Sequence, residues 1–479
     1  MNRYIIFFSV LFGILSGNAE GKDKPAQSAN RQALSSGRPN VIFFVVDDLG
    51  WKDISCYGSD FYQTPNVDKL AAKGVSFKNG YAACTVCSPT RAALMSAKYP
   101  ARIHCTDWIE GWKYPKAKFQ VPDWTMYMDT TEYTMAEAFR DAGYVTGHFG
   151  KWHLGEDSVY WPEKQGFDVN KGGWKSGGPN LNKKEGFNGY FPPFGNPRLK
   201  DLPGDEYLTK RLANEACTFI EDNKNRPLFL NFWFYNVHTA LRAKQEKIDK
   251  YTPLVDSTKH QQNSVYAAMV EHMDDAVGQV LAKLEILGLM ENTIIIFTSD
   301  NGGLQRKKEM VTSNYPLREG KGHVYEGGVR VPVIIVAPGK TQPGVVSDES
   351  VISMDFFPTL VDLAGIKVPQ QIKQSWDGVS LVKTLNGKGK LKRESLFWHY
   401  PHYHKEGATP YSSIRKGNYK LIRFFEDDRY ELYNVKDDIS ETKNLIEENI
   451  GIAEELKADL FKWYQEVGAQ MPVINPGYK

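Results

Sequence analysis

Continuous apolar runs that alternate with helical patterns restrict the fold of this 479-residue chain more than any other feature. A strand buried on both faces of a parallel sheet is apolar throughout, whereas a strand with one wet face alternates apolar and polar residues. Strands separated by helices indicate a mostly parallel sheet flanked by helices. The runs that predict buried parallel strands are Asn40–Val46, Tyr144–His148, Leu228–Phe234, Thr293–Thr298 and Val331–Ala337.

Two of the intervening helices carry clear end signals. Thr134 and Glu137 have the spacing of a capping box, and Gly143 ends the helix that this box begins. Apolar residues recur at helical spacing over residues 266–284, and Gly288 follows them. The sequence therefore predicts an α/β fold.

The C-terminal part of the chain has a different pattern. Tyr419–Phe424 and Arg429–Tyr433 are short alternating segments, typical of antiparallel strands, and an amphipathic helix follows over Ile452–Val467. We therefore predict an α/β domain over residues 39–366 and a smaller α+β subdomain, with an antiparallel sheet, over residues 367–479.

The N-terminus has the three parts of a secretory signal. A basic start at Arg3 precedes the apolar stretch Tyr4–Leu15, and small residues lead to Ala19. We predict a signal peptide over residues 1–19, a flexible leader over residues 20–38, and export to the periplasm or the extracellular space. A membrane anchor is the alternative, but no stretch reaches the roughly 20 apolar residues of a spanning helix, so we expect no stable membrane insertion.

Charge and cysteine content exclude two further classes. Lys and Arg total 59 against 57 Asp and Glu, which is too balanced for nucleic-acid binding by bulk charge. The five cysteines are an odd number, so a disulfide framework would leave at least one thiol over. Cys84 and Cys87 have CxxC spacing, but without a second such pair they support a structural zinc site only weakly.

Acidic and amide residues follow two of the predicted strands. Asp47 and Asp48 come directly after the first strand, and Asp300 and Asn301 follow the strand that ends near Thr298. Ligand sites in parallel sheets lie beyond the carboxyl ends of the strands. Crowded carboxylates repel unless a cation lies among them, and an oxygen-only set suits Ca²⁺ or Mg²⁺. The alternative is that each pair starts a turn and faces water.

Cys87 lies where a helix is predicted to begin. Pro89 suits the first turn of a helix and Ser88 suits its N-cap, while Arg91 adds a full positive charge. A helix N-terminus presents free N–H groups that favour an anion. A buried structural cysteine before an ordinary helix is the alternative.

Several motifs, in order along the chain, resemble those of the formylglycine-dependent sulfatases of the arylsulfatase A type. The similarity runs from about Pro39 to Tyr433, and its motifs are Asp47-Asp48, the C-x-P-x-R sequence Cys87 to Arg91, Gly150-Lys151-Trp152-His153, Ser299-Asp300-Asn301-Gly302, and Gly320-Lys321-Gly322 with the following Glu326-Gly327-Gly328. The resemblance implies the alkaline-phosphatase-like α/β fold with a smaller C-terminal subdomain. It departs from the family at Thr90, where Ser is commonest.

The resemblance also implies that Cys87 is oxidised to formylglycine by a formylglycine-generating enzyme. A hydroxyl of the hydrated aldehyde would attack sulfur, and the second hydroxyl would allow sulfate to leave without water attacking the enzyme. One Ca²⁺ would bind residue 87 and the four residues Asp47, Asp48, Asp300 and Asn301, and would polarise the sulfate.

Further roles are implied for five charged or titratable side chains. Arg91 would steady the hydrated aldehyde, and Lys151 and Lys321 would bind the sulfate oxygens. His153 would take the proton when the aldehyde re-forms, and His238 would protonate the leaving alcohol.

The substrate is expected to be a sulfated carbohydrate. Trp108, Trp112, Trp124, Trp161 and Trp174 lie in loops where a sugar ring could stack, and Gly166–Pro197 is predicted as a long surface loop. By resemblance, His402 and His404 line the pocket of the leaving group. A galactose or N-acetylgalactosamine sulfate is the expected substrate.

Other functions remain open at this point. A phosphate or phosphonate monoesterase of the same superfamily would use the same metal and anion pocket. A catalytically inactive glycan-binding protein would keep Cys87 as a thiol, and metal sequestration is a third alternative.

Overall fold

The apolar runs form the centre of an eight-stranded sheet. The computed structural model describes residues 37–306, 308, 310–386 and 389–478, so the predicted signal peptide and nearly all of the predicted leader lie outside the described residues. In chain order the strands of this sheet and of a small neighbouring sheet are β1 (Asn40–Val46), β2 (Val75–Tyr81), β3 (Phe119–Gln120), β4 (Val145–Gly150), β5 (Val169–Lys171), β6 (Leu228–Trp233), β7 (Thr293–Ser299), β8 (Val333–Val336) and β9 (Val345–Ile352).

The spatial order of the large sheet is β5–β4–β6–β1–β7–β8–β2–β9. Neighbouring strands are parallel except at β8, which is antiparallel to both β7 and β2. The prediction that Val331–Ala337 forms a parallel strand is therefore wrong in direction, although β8 lies within that segment. An apolar run reports burial on both faces, which a strand in either direction experiences equally.

Helices cover both faces of the large sheet, as predicted. Alternate residues of β1 enter two different cores: Ile42 and Phe44 pack with helices on one face, and Val41 and Phe43 with helices on the other. The helices are α1 (Pro65–Ala72), α2 (Cys87–Ser96), α3 (Pro100–Ile103), α4 (Met135–Asp141), α5 (Leu208–Asp222), α6 (Gln245–Tyr251), α7 (Ser264–Ile286), α8 (Glu326–Val329), α9 (Phe356–Leu363), α10 (Gln370–Gln374) and α11 (Ile450–Val467).

The predicted helix ends are present. Thr134 and Glu137 form the reciprocal capping box at the start of α4. Gly143 and Gly288 adopt positive φ just beyond α4 and α7, a conformation that glycine enters without the steric cost of a Cβ atom. Within the part of the chain that the structure describes, no helix combines the length and the apolar character needed to cross a bilayer.

A second, antiparallel sheet confirms the predicted C-terminal α+β architecture. Its strands pair in the order β10 (Ser395–Tyr400), β11 (Tyr411–Lys416), β12 (Tyr419–Phe424) and β13 (Arg429–Asn434). Helix α11 packs on this sheet through Leu456 and Leu460, in a core that also includes Tyr81 at the end of β2. The short strand β14 (Val473–Ile474) pairs with β3.

Short 3₁₀ turns and loops complete the chain. The 3₁₀ turns are Ser55–Tyr57, Ser158–Tyr160, Pro162–Lys164, Lys183–Glu185, Thr252–Leu254, Met290–Asn292 and Ser353–Asp355. The predicted loop Gly166–Pro197 is mostly irregular, but it contributes the edge strand β5 to the large sheet.

Candidate active site

The carboxyl ends of β1 and β7 bring the acidic residues together. The two strands are parallel neighbours, with Val46 opposite Ser299, so the residues that follow each strand leave the sheet at the same edge. Ligand atoms of four buried residues lie within 4.8 Å of one another; the four are Asp47, Asp48, Cys87 and Asp300. Asn301 joins them, because its side-chain amide donates to Asp48 Oδ1 at 2.8 Å.

Each of the three carboxylates has a cationic partner. Lys151 Nζ lies 2.7 Å from Asp47 Oδ2, and Lys321 Nζ lies 2.7 Å from Asp48 Oδ1. Arg91 Nε donates to Asp300 Oδ2 at 2.8 Å. Three negative and three positive side chains therefore balance in this buried set, and a divalent cation would leave it with a net charge of +2. That charge suits an anionic ester.

The pKa values reflect this balance. Burial would raise the pKa of Asp48, but the charges of Lys321 and Lys151 outweigh it and hold this pKa below its ordinary value. Burial raises the pKa of Asp300, an effect that Arg91 opposes and the neighbouring Asp47 reinforces. Burial would lower the pKa of Lys321, but the carboxylate of Asp48 holds it above its ordinary value.

The donor set fits a hard divalent cation. Asn301 Oδ1 is buried and has no hydrogen-bond partner among the described residues, although burying an amide oxygen without a partner costs free energy. Its neighbours offer carboxylate oxygens, which Ca²⁺ and Mg²⁺ prefer. A thiol is a poor ligand for such an ion, whereas an oxygen-bearing derivative of residue 87 would complete an oxygen set.

Cys87 is the first residue of α2, as expected for a helix N-terminus. The N-cap is Val86 in an extended conformation, so the predicted N-cap role of Ser88 is wrong. Ser88 lies inside the first turn, where its hydroxyl donates to the His153 carbonyl oxygen at 2.9 Å and accepts from the Ile109 N–H at 3.1 Å. The Ser88 hydroxyl therefore bonds residues distant in the sequence and does not cap the helix.

The Cys87 thiol is enclosed by charged groups. Its Sγ lies 3.4 Å from Asp47 Oδ1 and 3.5 Å from Lys321 Nζ. Burial nonetheless raises the pKa of the Cys87 thiol well above its ordinary value, more than Lys151 and Lys321 lower it. A thiol at this position is protonated at neutral pH and is a weak nucleophile, because the thiolate is the reactive form.

A cavity of about 370 Å³ opens onto Cys87. Among its lining residues are Lys321, His153, His238 and His404, which were predicted for the site. Arg91 and Lys151 are fully buried behind this surface; Arg91 Nη1 donates to the Lys151 carbonyl oxygen at 3.0 Å. We refer to this space as the inner cavity.

The two histidines nearest the acidic residues are neutral. Burial lowers the pKa of His153 well below its ordinary value, and Lys151 lowers it further. Burial and the charge of Lys321 lower the pKa of His238 to about 3 against the opposing effect of Asp48, whose Oδ2 lies 3.8 Å from His238 Nε2. His153 Nε2 bonds the Ile109 carbonyl oxygen, and its Nδ1 has no partner among the described residues.

The two histidines predicted by resemblance to line the leaving-group pocket occupy different places. His404 lines the inner cavity. His402 is buried behind its wall, with Nε2 2.8 Å from Thr106 Oγ1 and Nδ1 4.0 Å from Asp107 Oδ2. The structure therefore brings His404, and not His402, to the cavity surface.

Two of the five loop tryptophans reach the inner cavity. Trp108 and Trp174 line it, whereas Trp112, Trp124 and Trp161 do not. The wall also contains Glu110 and Lys405, which sequence reasoning missed because neither belongs to a motif or to a strand end. The adjacent glycines Gly177 and Gly178 are a sequence signal for a close approach of this loop to the site. A Cβ atom on Gly177 would lie 2.4 Å from the His153 ring, and one on Gly178 would lie 3.2 Å from His238 Nδ1.

This chain is similar to sulfatases over most of its length. A family model described as Sulfatase matches residues 39–366, and one described as N-sulphoglucosamine sulphohydrolase, C-terminal, matches residues 320–466. A sulfatase from Formosa agariphila is 32% identical over 505 residues, covering 92% of this chain and 89% of that protein. Human N-acetylgalactosamine-6-sulfatase is 31% identical over 387 residues, covering 75% and 68%.

A solved structure shares the architecture. The crystal structure of Ps i-CgsB in complex with k-i-k-neocarrahexaose superposes with a TM-score of 0.74 at 28% identity, covering 92% of this chain and 95% of that one.

Proposed function

The chain belongs to the sulfatase family and is a sulfuric ester hydrolase, and we propose that it removes sulfate from sulfated glycans with residue 87, converted to formylglycine, as its nucleophile. The observation that carries the proposal is the position of Cys87, which faces the inner cavity beside Asp47, Asp48 and Lys321. We propose Ca²⁺ as the resident ion, held by Asp47, Asp48, Asp300, Asn301 and residue 87.

The proposed cofactors supply two kinds of chemistry. Bound Ca²⁺ would withdraw electrons from the sulfate oxygens, and formylglycine would supply a hydroxyl nucleophile with a built-in route for releasing sulfate. Binding the sulfate group, transferring protons and holding the sugar are done by side chains of this chain.

Lys321 binds the sulfate group at the cavity surface, and the buried charge of Lys151 behind that surface adds to its electrostatic stabilisation. Lys321 Nζ is 3.5 Å from the residue-87 side chain, so it also lies beside a sulfate positioned for attack. Lys151 is held against Asp47, and Arg91 is held by Asp300 and by the Lys151 carbonyl oxygen, so neither has to reorganise during the reaction. Such pre-organised charges stabilise the transition state more than mobile ones.

His153 and His238 move the protons. Both are neutral before substrate binds, and the negative charge of a sulfate ester raises the pKa of a nearby imidazole. His238 takes up a proton from solvent as the bound ester raises its pKa and gives that proton to the leaving sugar oxygen, and His153, with Nδ1 unpartnered, accepts one from the residue-87 side chain as sulfate departs.

The sugar is held by the walls of the inner cavity. Trp108 and Trp174 offer aromatic faces, and Glu110 and His404 offer polar groups for sugar hydroxyls. A galactose or N-acetylgalactosamine sulfate is the proposed substrate, supported by the similarity to human N-acetylgalactosamine-6-sulfatase and to a structure that holds k-i-k-neocarrahexaose.

Three further proposals accompany this function. The chain is exported, because a sulfated glycan is met outside the cell. A formylglycine-generating enzyme is its partner during maturation. Residues 39–366 form the catalytic domain and residues 367–479 the smaller subdomain, a division supported by the large sheet and the four-stranded sheet on either side of it.

Peptide mass spectrometry of residue 87 tests the proposal. Trypsin cuts after Lys78 and Arg91, so Cys84 and Cys87 lie on one peptide and Cys84 is an internal control. After expression with a formylglycine-generating enzyme and alkylation, we expect one alkylated thiol and one aldehyde. Sulfate release is then measured on a panel of galactose and N-acetylgalactosamine sulfates and on the matching phosphate esters. Two alkylated thiols in active protein, or faster turnover of the phosphate esters, would contradict the proposal.

A further inference from the structure

A second open space lies directly beside the inner cavity. It has a volume of about 730 Å³, and Trp174, Lys175 and Asn180 line both spaces. The two spaces therefore adjoin, with Trp174, Lys175 and Asn180 between them. We call the second space the outer groove.

The outer groove is built by a single segment of the chain, residues 174–201. The same segment reaches the reacting centre at its inner end, where the Trp174 carbonyl oxygen accepts from the His153 N–H at 3.3 Å. A molecule that extends out of the inner cavity past Trp174 therefore enters the outer groove.

The groove is held in shape by its own hydrogen bonds. Asn180 Nδ2 donates to the Gly195 carbonyl oxygen at 3.1 Å, and the Phe194 N–H donates to Asp201 Oδ1 at 2.8 Å. The Phe187 ring rests on Gly195, where an added Cβ atom would lie 2.4 Å from it. A preformed surface loses little conformational freedom when it binds a ligand.

The chemistry of the groove differs from that of the inner cavity. Its lining combines the Phe187 ring with side-chain amides from Asn180, Asn182 and Asn196, and its charges are two lysines and two carboxylates. Aromatic faces and amides suit the apolar ring faces and the hydroxyls of a sugar. Balanced charge gives no preference for a second anion.

We propose that the outer groove binds an unsulfated sugar unit linked to the sulfated one, so that the enzyme acts on sulfated oligosaccharides in preference to the sulfated monosaccharide. This inference rests on the proposed function, because it assumes that the reacting group is a sugar sulfate. Phe187 is then a specificity-determining residue that contacts the neighbouring sugar and not the reacting atoms.

Chain-length kinetics with a Phe187 variant test the proposal. The monosaccharide sulfate turned over best in the panel is compared with a tetrasaccharide containing the same sulfated unit. We expect kcat/KM to be higher for the tetrasaccharide, and we expect Phe187→Ala to lower it roughly 5- to 10-fold for the tetrasaccharide only, as the loss of one aromatic contact implies. Phe187→Tyr should restore the preference. Phe461→Ala, at an exposed phenylalanine of α11 outside both spaces, is the control.

The outcomes separate the two proposals. Absence of sulfate release from every sugar in the panel overturns the proposed function and this inference with it. Equal kcat/KM for the two chain lengths overturns the inference alone. A Phe187→Ala effect of the same size on both substrates also overturns it, because a general loss of structure at residues 174–201 would act through His153 on either substrate.

Discussion

A cluster of buried charge below the inner cavity can be compared with another between the large sheet and the four-stranded sheet. The site cluster is Asp47, Asp48, Asp300, Arg91, Lys151 and Lys321. The interface cluster is Glu326, Glu441, Lys420, Arg330 and Arg415 with the hydroxyl of Tyr81. All of these side chains are buried.

The charged groups of the interface cluster pair mainly with one another. Lys420 Nζ lies 3.0 Å from Glu326 Oε1 and 3.0 Å from Glu441 Oε1. Glu326 Oε2 accepts from the Tyr81 hydroxyl at 2.7 Å, and Glu441 Oε2 accepts from the Glu326 N–H at 2.6 Å. Three of the four carboxylate oxygens of Glu326 and Glu441 therefore accept hydrogen bonds, and Glu441 Oε1 has the ion pair with Lys420 but no hydrogen bond among the described residues. The cluster fastens α8 to β12.

The site cluster remains incomplete. Its neighbours Asn301 Oδ1 and His153 Nδ1 are buried without partners among the described residues, and Lys321 lies on the surface of the inner cavity. Buried polar atoms without partners cost stability, so their presence beside a cavity indicates groups kept for a ligand. The difference teaches that an open cavity beside unpartnered polar atoms, and not charge or burial, distinguishes the functional cluster from the structural one.

Removing the residue-87 side chain should produce the largest effect on function. Cys87→Ala is expected to lower kcat/KM by roughly 10⁴-fold or more, because the nucleophile is lost, while the free energy of unfolding changes by only about 1 kcal/mol. Sulfate-release kinetics and urea unfolding measure the two. Cys84→Ala, which removes a buried thiol nearby, should keep its kcat. A large loss of stability in Cys87→Ala would contradict the distinction between a functional site cluster and a structural interface cluster.

Breaking the interface cluster should have the largest effect on stability. Lys420→Met leaves two buried carboxylates without their shared cation, and we expect the free energy of unfolding to fall by about 3–5 kcal/mol. Urea unfolding measures it. Lys457→Met, on the exposed side of α11, is the control and should change stability by less than about 0.5 kcal/mol. An unchanged Lys420→Met protein would show that this cluster contributes nothing to the fold.

Calcium should act on the site cluster alone. At 100 times its dissociation constant, Ca²⁺ is expected to raise the free energy of unfolding by about 2.7 kcal/mol, since it binds only the folded chain. Asp300→Asn should abolish this gain, whereas Glu441→Gln, the same chemical change in the other cluster, should retain it. The free energy of unfolding of the wild-type chain and of each variant is measured with and without calcium. Equal loss in both variants would contradict the assignment of the metal to the strand ends.

The smallest effect should be a pH dependence that belongs to the interface cluster. Burial raises the pKa of Glu441 from 4.5 to about 7, against the opposing charge of Lys420. Because the folded state then binds this proton more tightly, its contribution to stability is present at low pH and is lost as pH rises through 7.

The matching variant isolates that contribution. Relative to Glu441→Gln, the wild-type chain should gain about 1–2 kcal/mol of unfolding free energy between pH 8 and pH 5. Glu454→Gln, at an exposed glutamate, should show no such difference from wild type. A wild-type chain that instead loses stability relative to Glu441→Gln over this range would reverse the sign and reject the explanation.

Much of the fold follows from local pattern. Asn40–Val46 and Thr293–Ser299 are buried strands because their apolar runs need cover on both faces, and the polar residues that follow them must leave the sheet at its edge. Cys87 begins a helix as expected. The partners of Ser88 could not be predicted, because His153 and Ile109 approach it only after distant segments have folded together.

Periodicity within a few neighbouring residues is enough to predict which segments form strands and helices, and which strand ends carry the acidic residues. Local pattern could not predict the direction of β8, the burial of His402 behind the cavity wall, the walls of the inner cavity and outer groove, or the pairing of Glu326 with Glu441. These depend on contacts between residues far apart in the chain, whose free energy is gained only when loops close and the whole core is buried.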